Sequence, residues 1–413
     1  MHRRTVLSAA LTVALAAVIG GCGKTEPPPA PKAAETITVK IGSASPLTGP
    51  QAHIGIDIRN GVQLAIDDAN AMGLEIGGKK VRFELIAEDD EANPTKATTV
   101  AQKLVDSKVA GVVGHFNSGA SIPASKIYSD AGIPQISPSS TNPKYTLQGF
   151  KTTFRVVAHD DQQGPTLGLF STVKLGAKNI AVIDDSTAYG QGLADAFERT
   201  VKAGGATIVA REHTTDKDTD FKAILTKIKG RNPDLVMFGG IDPQAGPMVK
   251  QMSELGIKAK FIGGDGMQTP NFIKLAGAAS EGVMASIPGL PKEKMPGGVE
   301  FLKKYKAKFN QEVELFAPMG YDAVMVFIDA MKRAGSVEPA KFLPELGKTN
   351  YQGVIGPIAF DDKGDLRNGP ITLYVVKGGT WEPLETVTPQ ASAQPAAPAV
   401  APASAPPAAD KKK

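Results

Sequence analysis

The chain has 413 residues and a formal net charge of +4 at pH 7, and Cys22 is its single cysteine. One cysteine excludes an intrachain disulfide, so the fold must be held together by packing. A near-neutral chain lacks the basic surface that nucleic acids require, and we expect no nucleic-acid partner. Roughly 350 residues remain without the two terminal regions, a length that favours two lobes.

The N-terminus is typical of an exported protein. A basic start precedes an apolar run over residues 6–19, which is too short to span a bilayer comfortably and suits a secretory signal peptide. Two glycines and then Cys22 follow, and they resemble the lipobox of bacterial lipoproteins. This resemblance implies that residues 1–21 are a signal peptide and that Cys22 carries a lipid. The alternative is an ordinary signal peptide cleaved near residues 14–16.

Two segments are rich in proline and alanine and have almost no bulky apolar side chains: residues 22–36 and residues 389–413. Such segments bury too little surface to offset the entropy lost on ordering. We therefore predict a flexible linker at 22–36 and a disordered tail at 389–413. A linker that follows a lipidated cysteine would let a folded domain stand off its membrane.

Between these segments, strand-like runs alternate with helical patterns. Runs of β-branched and aliphatic residues that end at Gly, Ser, Asn or Asp predict strands, and apolar residues at helical spacing predict helices. The predicted strands are Thr38–Gly42, Val81–Ala87, Ala110–Val113, Pro134–Ile136, Asn179–Ile183, Thr207–Ala210, Leu235–Phe238 and Lys260–Ile262. The predicted helices cover residues 58–69, 94–105, 120–131, 166–175, 192–203, 221–229, 243–255, 298–309, 317–335 and 339–346.

Repeated βα units specify parallel sheets that are covered by helices on both faces. The series begins at Thr38 and again at Asn179, so we predict an α/β fold with two doubly wound parallel-sheet lobes. After Ser286 the pattern turns helical and then ends in extended segments at residues 354–360 and 371–376. The pattern leaves open which lobe these last segments join.

The loops after the strands suggest a ligand, because ligands of open parallel sheets bind beyond the carboxyl ends of the strands. In the first half, Ser118 heads a predicted helix whose free N–H groups and dipole favour an anion. In the second half, Asp184, Asp242 and Asp265 suit a cation. This division by charge predicts an α-amino acid. Each of these residues alone is also an ordinary turn or cap residue.

The sequence offers no arrangement for catalysis. Its five histidines are scattered without metal-ligand spacing, and it has no nucleophile elbow and no clustered pair of catalytic carboxylates. Residues 73–80 nearly fit a phosphate-binding loop, but the final Ser or Thr is missing and a strand follows instead of a helix. We therefore expect no enzyme activity, no metal and no cofactor.

Four segments carry a recognisable pattern: residues 114–141, 161–165, 189–192 and 360–365. They resemble the leucine/isoleucine/valine-binding proteins, the type I periplasmic binding proteins that feed branched-chain amino acids to ABC importers. The similarity runs from about Thr38 to Val376 and implies two lobes joined by a three-stranded hinge that closes around the ligand. The implied lobe 1 is residues 37–157 plus 287–367, and the implied lobe 2 is residues 158–286 plus 368–388.

The resemblance also implies a set of binding residues. Ser118 and Thr141 align with hydroxyls that bind the ligand carboxylate, and Ser139 aligns with a position whose backbone carbonyl receives the ammonium. Asp265 aligns with the acidic partner of the ammonium, where glutamate is common in the family. Tyr189 aligns with a tyrosine that lines the site from lobe 2.

Two positions depart from the better-known members. Ile54 and Ile241 stand where those members place aromatic residues around the side chain of the ligand. The resemblance therefore implies binding at Ile54 and Ile241, but the shape of the pocket and the identity of the ligand stay open.

These observations predict a periplasmic or extracytoplasmic substrate-binding protein that captures a small amino acid by hinge closure, and the resemblance implies a branched-chain one. The implied partners are that ligand, the permease subunits of an ABC transporter, and a membrane touched through the lipid anchor alone. We expect the protein to be a monomer. Two alternatives stay open: the same fold binding an amide, urea or an aromatic acid, and a ligand-sensing module.

Overall fold

The two predicted series of βα units form two separate β-sheets in the computed structural model, which describes residues 36–388. The strands are β1 (Thr36–Ser45), β2 (Glu75–Ile76), β3 (Lys79–Asp89), β4 (Gly111–Gly114), β5 (Gln135–Ser137), β6 (Thr153–Arg155), β7 (Asn179–Asp184), β8 (Thr207–His213), β9 (Leu235–Gly239), β10 (Lys260–Gly263), β11 (Met284–Ile287), β12 (Asn350–Gln352), β13 (Pro357–Ala359), β14 (Ile371–Lys377) and β15 (Thr380–Val387). The α-helices are α1 (Ala52–Ala71), α2 (Pro94–Asp106), α3 (Ser118–Asp130), α4 (Lys144–Leu147), α5 (Asp160–Leu169), α6 (Ala188–Ala203), α7 (Lys222–Lys229), α8 (Asp242–Glu254), α9 (Pro270–Ala276), α10 (Gly298–Phe309), α11 (Ala317–Ala334) and α12 (Pro339–Leu346).

The five parallel strands of each sheet share one topology. The first sheet has the order β2-β3-β1-β4-β5-β6, and the second has the order β15-β14-β11-β10-β9-β7-β8. The strands from β3 to β6 pair in parallel, as do those from β8 to β11, whereas β2, β14 and β15 pair antiparallel. The strand order reverses between β1 and β4 and again between β7 and β9. A crevice that binds a ligand forms at such switch points, beyond the carboxyl ends of the strands.

The predicted strands all occur, with ends within three residues of the prediction. The starts of three helices were predicted too late, because α1 begins at Ala52 instead of 58, α5 at Asp160 instead of 166, and α6 at Ala188 instead of 192. Gly164, Pro165 and Gly190 lie within the first six residues of α5 and α6 and are poor helix formers. A methyl group on Gly164 would lie 2.5 Å from the Cβ atom of Ala196, so close packing of α5 on α6 explains the glycine.

The last extended segments divide between two places. Strands β14 and β15 join the second sheet, where β14 pairs with β11. The segment predicted as extended at residues 354–360 is instead part of a short hairpin, in which β12 pairs with β13. Strands β2, β6, β11, β12 and β15 lie where no strand was predicted. The exact boundaries of the two lobes remain a prediction.

A buried carboxylate docks α1 onto the start of α11. Asp57 is 1% exposed, and its oxygens accept hydrogen bonds from the backbone N–H groups of residues 314–317 at 2.8–3.0 Å. These N–H groups lie at a helix N-terminus, where the helix dipole favours a negative charge. Ile54 lies three residues before Asp57 on α1, and Phe316 directly precedes α11.

A buried guanidinium holds the loop that follows β5. Arg155 is fully buried at the end of β6, and its Nε atom lies 2.6 Å from Oδ1 of Asp365. Its Nη1 atom donates to the carbonyl of Ser140 at 2.7 Å, and its Nη2 atom donates to Oγ1 of Thr146 at 2.8 Å. This loop carries Ser139 and Thr141, so Arg155 determines where both of these side chains lie.

Candidate functional site

The loops after β4 and β5 meet beside the N-terminus of α3. Ser118 is the first residue of α3, is 1% exposed, and accepts a hydrogen bond through Oγ from the backbone N–H of Asn142 at 3.2 Å. Thr141 is fully buried, and no described residue makes a hydrogen bond of good geometry to its Oγ1 atom. The first sheet thus brings two hydroxyls, Ser118 and Thr141, to the end of a helix that favours an anion.

The hydroxyl of Ser139 links the loop after β5 to the loop after β4. It donates to the backbone carbonyl of Phe116 at 3.0 Å, and the backbone N–H of Ser139 donates to Oγ of Ser137 at 3.3 Å. The carbonyl of His115 accepts from Ser137 at 2.9 Å. The Ser139 side chain therefore stabilises the joined β4 and β5 loops.

The second sheet contributes a buried carboxylate. Asp265 follows β10 and is 3% exposed, and its Oδ1 atom accepts from Nε2 of Gln163 at 2.8 Å and from the hydroxyl of Tyr189 at 3.1 Å. The same hydroxyl accepts from the backbone N–H of Gly266 at 3.2 Å. Burial raises the pKa of Asp265 to about 6, although the hydrogen bond from Gln163 partly offsets the effect. A cation beside Asp265 would relieve this cost of burial.

A second buried carboxylate, Asp160, was not among the predicted site residues. Asp160 is the first residue of α5 and fully buried, and no described residue makes a hydrogen bond of good geometry to either of its side-chain oxygens. Burial raises the pKa of Asp160 to about 8, and the charge of Asp265 adds to this effect, whereas the Thr141 hydroxyl and Arg155 oppose it. The backbone N–H of Asp160 donates to the carbonyl of Thr141 at 2.9 Å, which places Asp160 beside the hydroxyl side of the site.

The signal for Asp160 was present in the sequence. It directly precedes Asp161, the first residue of one of the four segments that carry the family resemblance, but nothing in the sequence shows that its side chain is buried. The packing around it also requires a glycine, because a methyl group on Gly192 would lie 2.9 Å from Oδ2 of Asp160 and 2.5 Å from Nδ2 of Asn142. Asn142 in turn donates to the carbonyl of Ala188 at 2.5 Å and joins the two sheets at the site.

Apolar side chains close the remaining side. Ile54 and Ile241 are 0% and 3% exposed and belong to one continuous apolar cluster. The same cluster contains Phe116 and Phe316, whose ring centroids lie 5.9 Å apart. Neither phenylalanine was among the predicted residues. Phe116 lies directly after the switch-point strand β4, and this position was the signal that could have found it.

Two of the three acids predicted to suit a cation have other partners, which corrects that prediction. Asp184 forms ion pairs with Arg211 and, at 2.9 Å, with His213. Oδ2 of Asp242 accepts from Nε2 of His53 at 2.9 Å and from two further side chains of the second sheet. Of the three, Asp265 alone belongs to the Tyr189 and Gln163 cluster.

Two further properties concern the described residues. Residues 36–388 contain no group of three or more His, Cys, Asp or Glu side chains placed to hold a metal ion. Within the same range, no helix is both long and apolar enough to cross a membrane. Cys22, the predicted site of lipid attachment, lies outside the described residues.

The arrangement suits a zwitterion chemically. Its second-sheet side presents two buried carboxyl groups, Asp160 and Asp265, and its first-sheet side presents hydroxyls and free N–H groups at the start of α3. Opposite charges on one small molecule can then each be paired, which buried charges require. The roles of Ser118, Ser139, Thr141, Tyr189, Asp265, Ile54 and Ile241 in binding remain predictions.

Comparisons with known proteins agree with this architecture. Residues 38–380 match the family described as periplasmic binding protein. A leucine-, isoleucine-, valine-, threonine- and alanine-binding protein of Pseudomonas aeruginosa is 35% identical over 337 residues, which is 82% of this chain and 89% of that protein.

Two solved structures are similar along almost their whole length. A leucine-binding protein of Thermotoga maritima is 30% identical, with a TM-score of 0.79, over 85% of this chain and 99% of that one. A branched-chain amino acid transporter substrate-binding protein of Streptococcus pneumoniae, in complex with isoleucine, is 32% identical, with a TM-score of 0.78, over 86% of this chain and 100% of that one. The family's members work outside the cytoplasm, and the named relatives are binding proteins. The chain therefore belongs to the periplasmic binding protein family, within its branched-chain amino acid-binding branch, and has the type I fold.

Proposed function

We propose that this protein captures a small α-amino acid with a branched apolar side chain and delivers it to an ABC importer. The observation that carries the proposal is the pair of buried carboxyl groups, Asp265 and Asp160, of which Asp265 is oriented by Gln163 and Tyr189. Both carry raised pKa values because burial disfavours their charged forms. A ligand ammonium between them would restore the ionised forms.

The carboxylate of the ligand would bind at the start of α3. The free backbone N–H groups of that helix terminus and the hydroxyls of Ser118 and Thr141 are the donors that this group needs. Ile54, Ile241 and Phe116 would surround the side chain of the ligand. The relatives named above bind leucine and isoleucine, and the apolar side chains of Ile54, Ile241 and Phe116 suit the same ligand side chains.

Capture would occur by closure of two lobes, each built on one sheet. The ligand bridges groups from both sheets, so it stabilises the closed form in proportion to its preference for that form. The protein makes and breaks no covalent bond in this proposal and is not an enzyme. Cys22 would carry the lipid that keeps the captured ligand near the permease, and the protein would act as a monomer.

A second ligand class has one observation in its favour. A carboxyl group with a pKa of about 8, as in Asp160, is protonated at neutral pH and can donate a hydrogen bond. A neutral amide or urea could accept that bond through its carbonyl oxygen. An amide would leave Asp160 protonated, whereas an ammonium would ionise it, and this difference separates the two classes.

Isothermal titration calorimetry tests the proposal. We expect leucine, isoleucine or valine to bind at one site and to release about one proton per ligand at pH 7, because the ammonium lowers the pKa of Asp160 below the pH of the solution. Repeating the titration in buffers of different ionisation enthalpy measures the released protons. Binding of an amide without proton release would instead identify the second class, and binding of neither would reject both.

The burial of Asp160 also predicts a dependence of stability on pH. The unfolded chain ionises this group near pH 3.8 and the folded chain near pH 8, so wild-type stability falls as the pH rises between these values. Asp160→Asn lacks this slope. We expect the ligand-free variant to gain on the order of 5 kcal/mol at pH 8 and nothing near pH 4, as measured by urea unfolding. Asp161→Asn, the exposed neighbour, is the control and should show no gain. If the free energy of unfolding changed with pH by the same amount in wild type and in Asp160→Asn, the prediction would be wrong.

A further inference from the structure

One ion pair joins the two sheets beside the proposed site. His53 is the second residue of α1, which packs with the first sheet, and Asp242 is the first residue of α8, which follows β9 of the second sheet. Nε2 of His53 lies 2.9 Å from Oδ2 of Asp242. The pair directly flanks Ile54 and Ile241, so it lies next to the residues proposed to surround the ligand side chain.

Asp242 is prepared for a cation by its own side of the structure. Its side chain is fully buried, and Oδ2 also accepts from Oγ1 of Thr269 at 2.7 Å and from Nδ2 of Asn271 at 2.9 Å. No described residue makes a hydrogen bond to Oδ1. The carboxylate lies at the N-terminus of α8, where the helix dipole favours negative charge. The second sheet therefore holds a negative charge in place, and the first sheet supplies the histidine.

His53 is surrounded by acceptors and negative charge. Burial lowers its pKa, but the hydrogen bond and charge of Asp242, the charge of Glu314 and the backbone carbonyl of Pro50 outweigh burial, so the pKa is raised. Glu314 lies just before α11, and burial raises its own pKa. Lys292 is the nearby cation, and its Nζ atom donates to the backbone carbonyls of Val313 and Glu314 at 2.7 and 3.2 Å.

We propose that His53 and Asp242 form a latch that holds the two lobes closed, and that the latch holds most tightly when His53 is protonated. The proposal rests on the lobe closure proposed above. Neither residue needs to touch the ligand, so both are positioning residues. They would strengthen capture by stabilising the closed form, since an ion pair that exists in that form alone shifts the equilibrium toward it.

The sign of the pH dependence follows from the raised pKa of His53. The closed form binds the proton more tightly than the open form, so the latch contributes fully below the ordinary histidine value of 6.5 and is lost as the pH rises through the raised value. Asp160 and Asp265 act in the opposite direction, because acid protonates the groups that pair with a ligand ammonium. The contribution of the latch must therefore be measured as the difference in affinity between wild type and a His53 variant at each pH. The pH dependence of the wild-type affinity alone mixes the latch with Asp160 and Asp265.

The test compares the leucine affinity of wild type and His53→Gln from pH 6 to pH 9. We expect the variant to bind about tenfold more weakly at pH 6, through faster dissociation, because charge-assisted hydrogen bonds exceed neutral ones by about that factor. The two affinities should converge near pH 9. Adding His53→Gln to Asp242→Asn should weaken binding no further.

The matched control is His213→Gln. His213 also pairs with an aspartate, Asp184, at 2.9 Å, but both residues belong to the second sheet. This pair cannot join the lobes, so the variant should keep wild-type affinity at every pH.

A second measurement does not depend on the ligand. X-ray scattering of the ligand-free protein should show a more compact average form for wild type than for His53→Gln at pH 6, and equal forms at pH 9. If wild type binds no amino acid but scattering shows this difference, the latch stands and the proposed ligand fails. Two results together would overturn the latch. Wild type and His53→Gln would scatter identically at both pH values, and any ratio of their leucine affinities would be independent of pH.

Discussion

Asp265→Ala should abolish detectable binding of a branched-chain amino acid. The substitution leaves the buried ammonium of the ligand without the carboxylate that Gln163 and Tyr189 hold in place. Removing one partner of a buried charge pair costs about 3–5 kcal/mol, which corresponds to a loss of roughly a hundredfold or more in affinity. Isothermal titration of leucine into wild type and variant at pH 7.5 measures the effect.

Misfolding can be separated from this loss. Because burial raises the pKa of Asp265 to about 6, the ionised group lowers the stability of the ligand-free protein at pH 8. Asp265→Asn should therefore lose binding while unfolding in urea at least as late as wild type. The control is Glu254→Ala, which changes an exposed carboxylate at the C-terminal end of α8 and should bind normally. Retained amino acid affinity in Asp265→Asn would show that the ammonium binds elsewhere, and retained binding of a neutral amide alone would support the second ligand class.

Arg155→Ala should destabilise the protein more than any other substitution considered above. The guanidinium is fully buried and donates to Asp365, to Thr146 and to the carbonyls of Ser140 and Asn142. The Asp365 carboxylate is mostly buried, and removal of the guanidinium leaves it without its cation. We expect a loss of about 3–5 kcal/mol in the free energy of unfolding, measured by urea denaturation at pH 7.

Binding should fall as well, because Arg155 holds the loop that carries Ser139 and Thr141. Arg199→Ala is the matched control, since Arg199 pairs with Asp161 at 2.7 Å on an exposed surface. Exposed pairs contribute about 1 kcal/mol or less, so this variant should unfold close to wild type and bind normally. Equal stabilities for the two arginine variants would disprove a structural role for Arg155.

Local pattern was enough to predict much of the fold. The eight strands from Thr38 to Ile262 were recognised because each is a short apolar run that ends at a turn residue, and both signals lie within a few positions of each other. The repeated βα order then predicted parallel sheets. The helix starts at Asp160 and Ala188 were predicted too late, because their glycines serve contacts with distant residues and not local helix propensity.

The site shows the same division. The sequence by itself placed Ser118 and Asp265 in loops that follow predicted strands, because the apolar runs and turn residues that mark the ends of strands are local signals. Tertiary structure alone decided that Asp160 is buried with no hydrogen bond of good geometry from the described residues, that Asp184 pairs with Arg211, and that Asp242 faces a histidine 189 residues earlier in the chain. Burial and charge pairing depend on contacts between residues far apart in sequence, so no local pattern could assign these three acids their different roles.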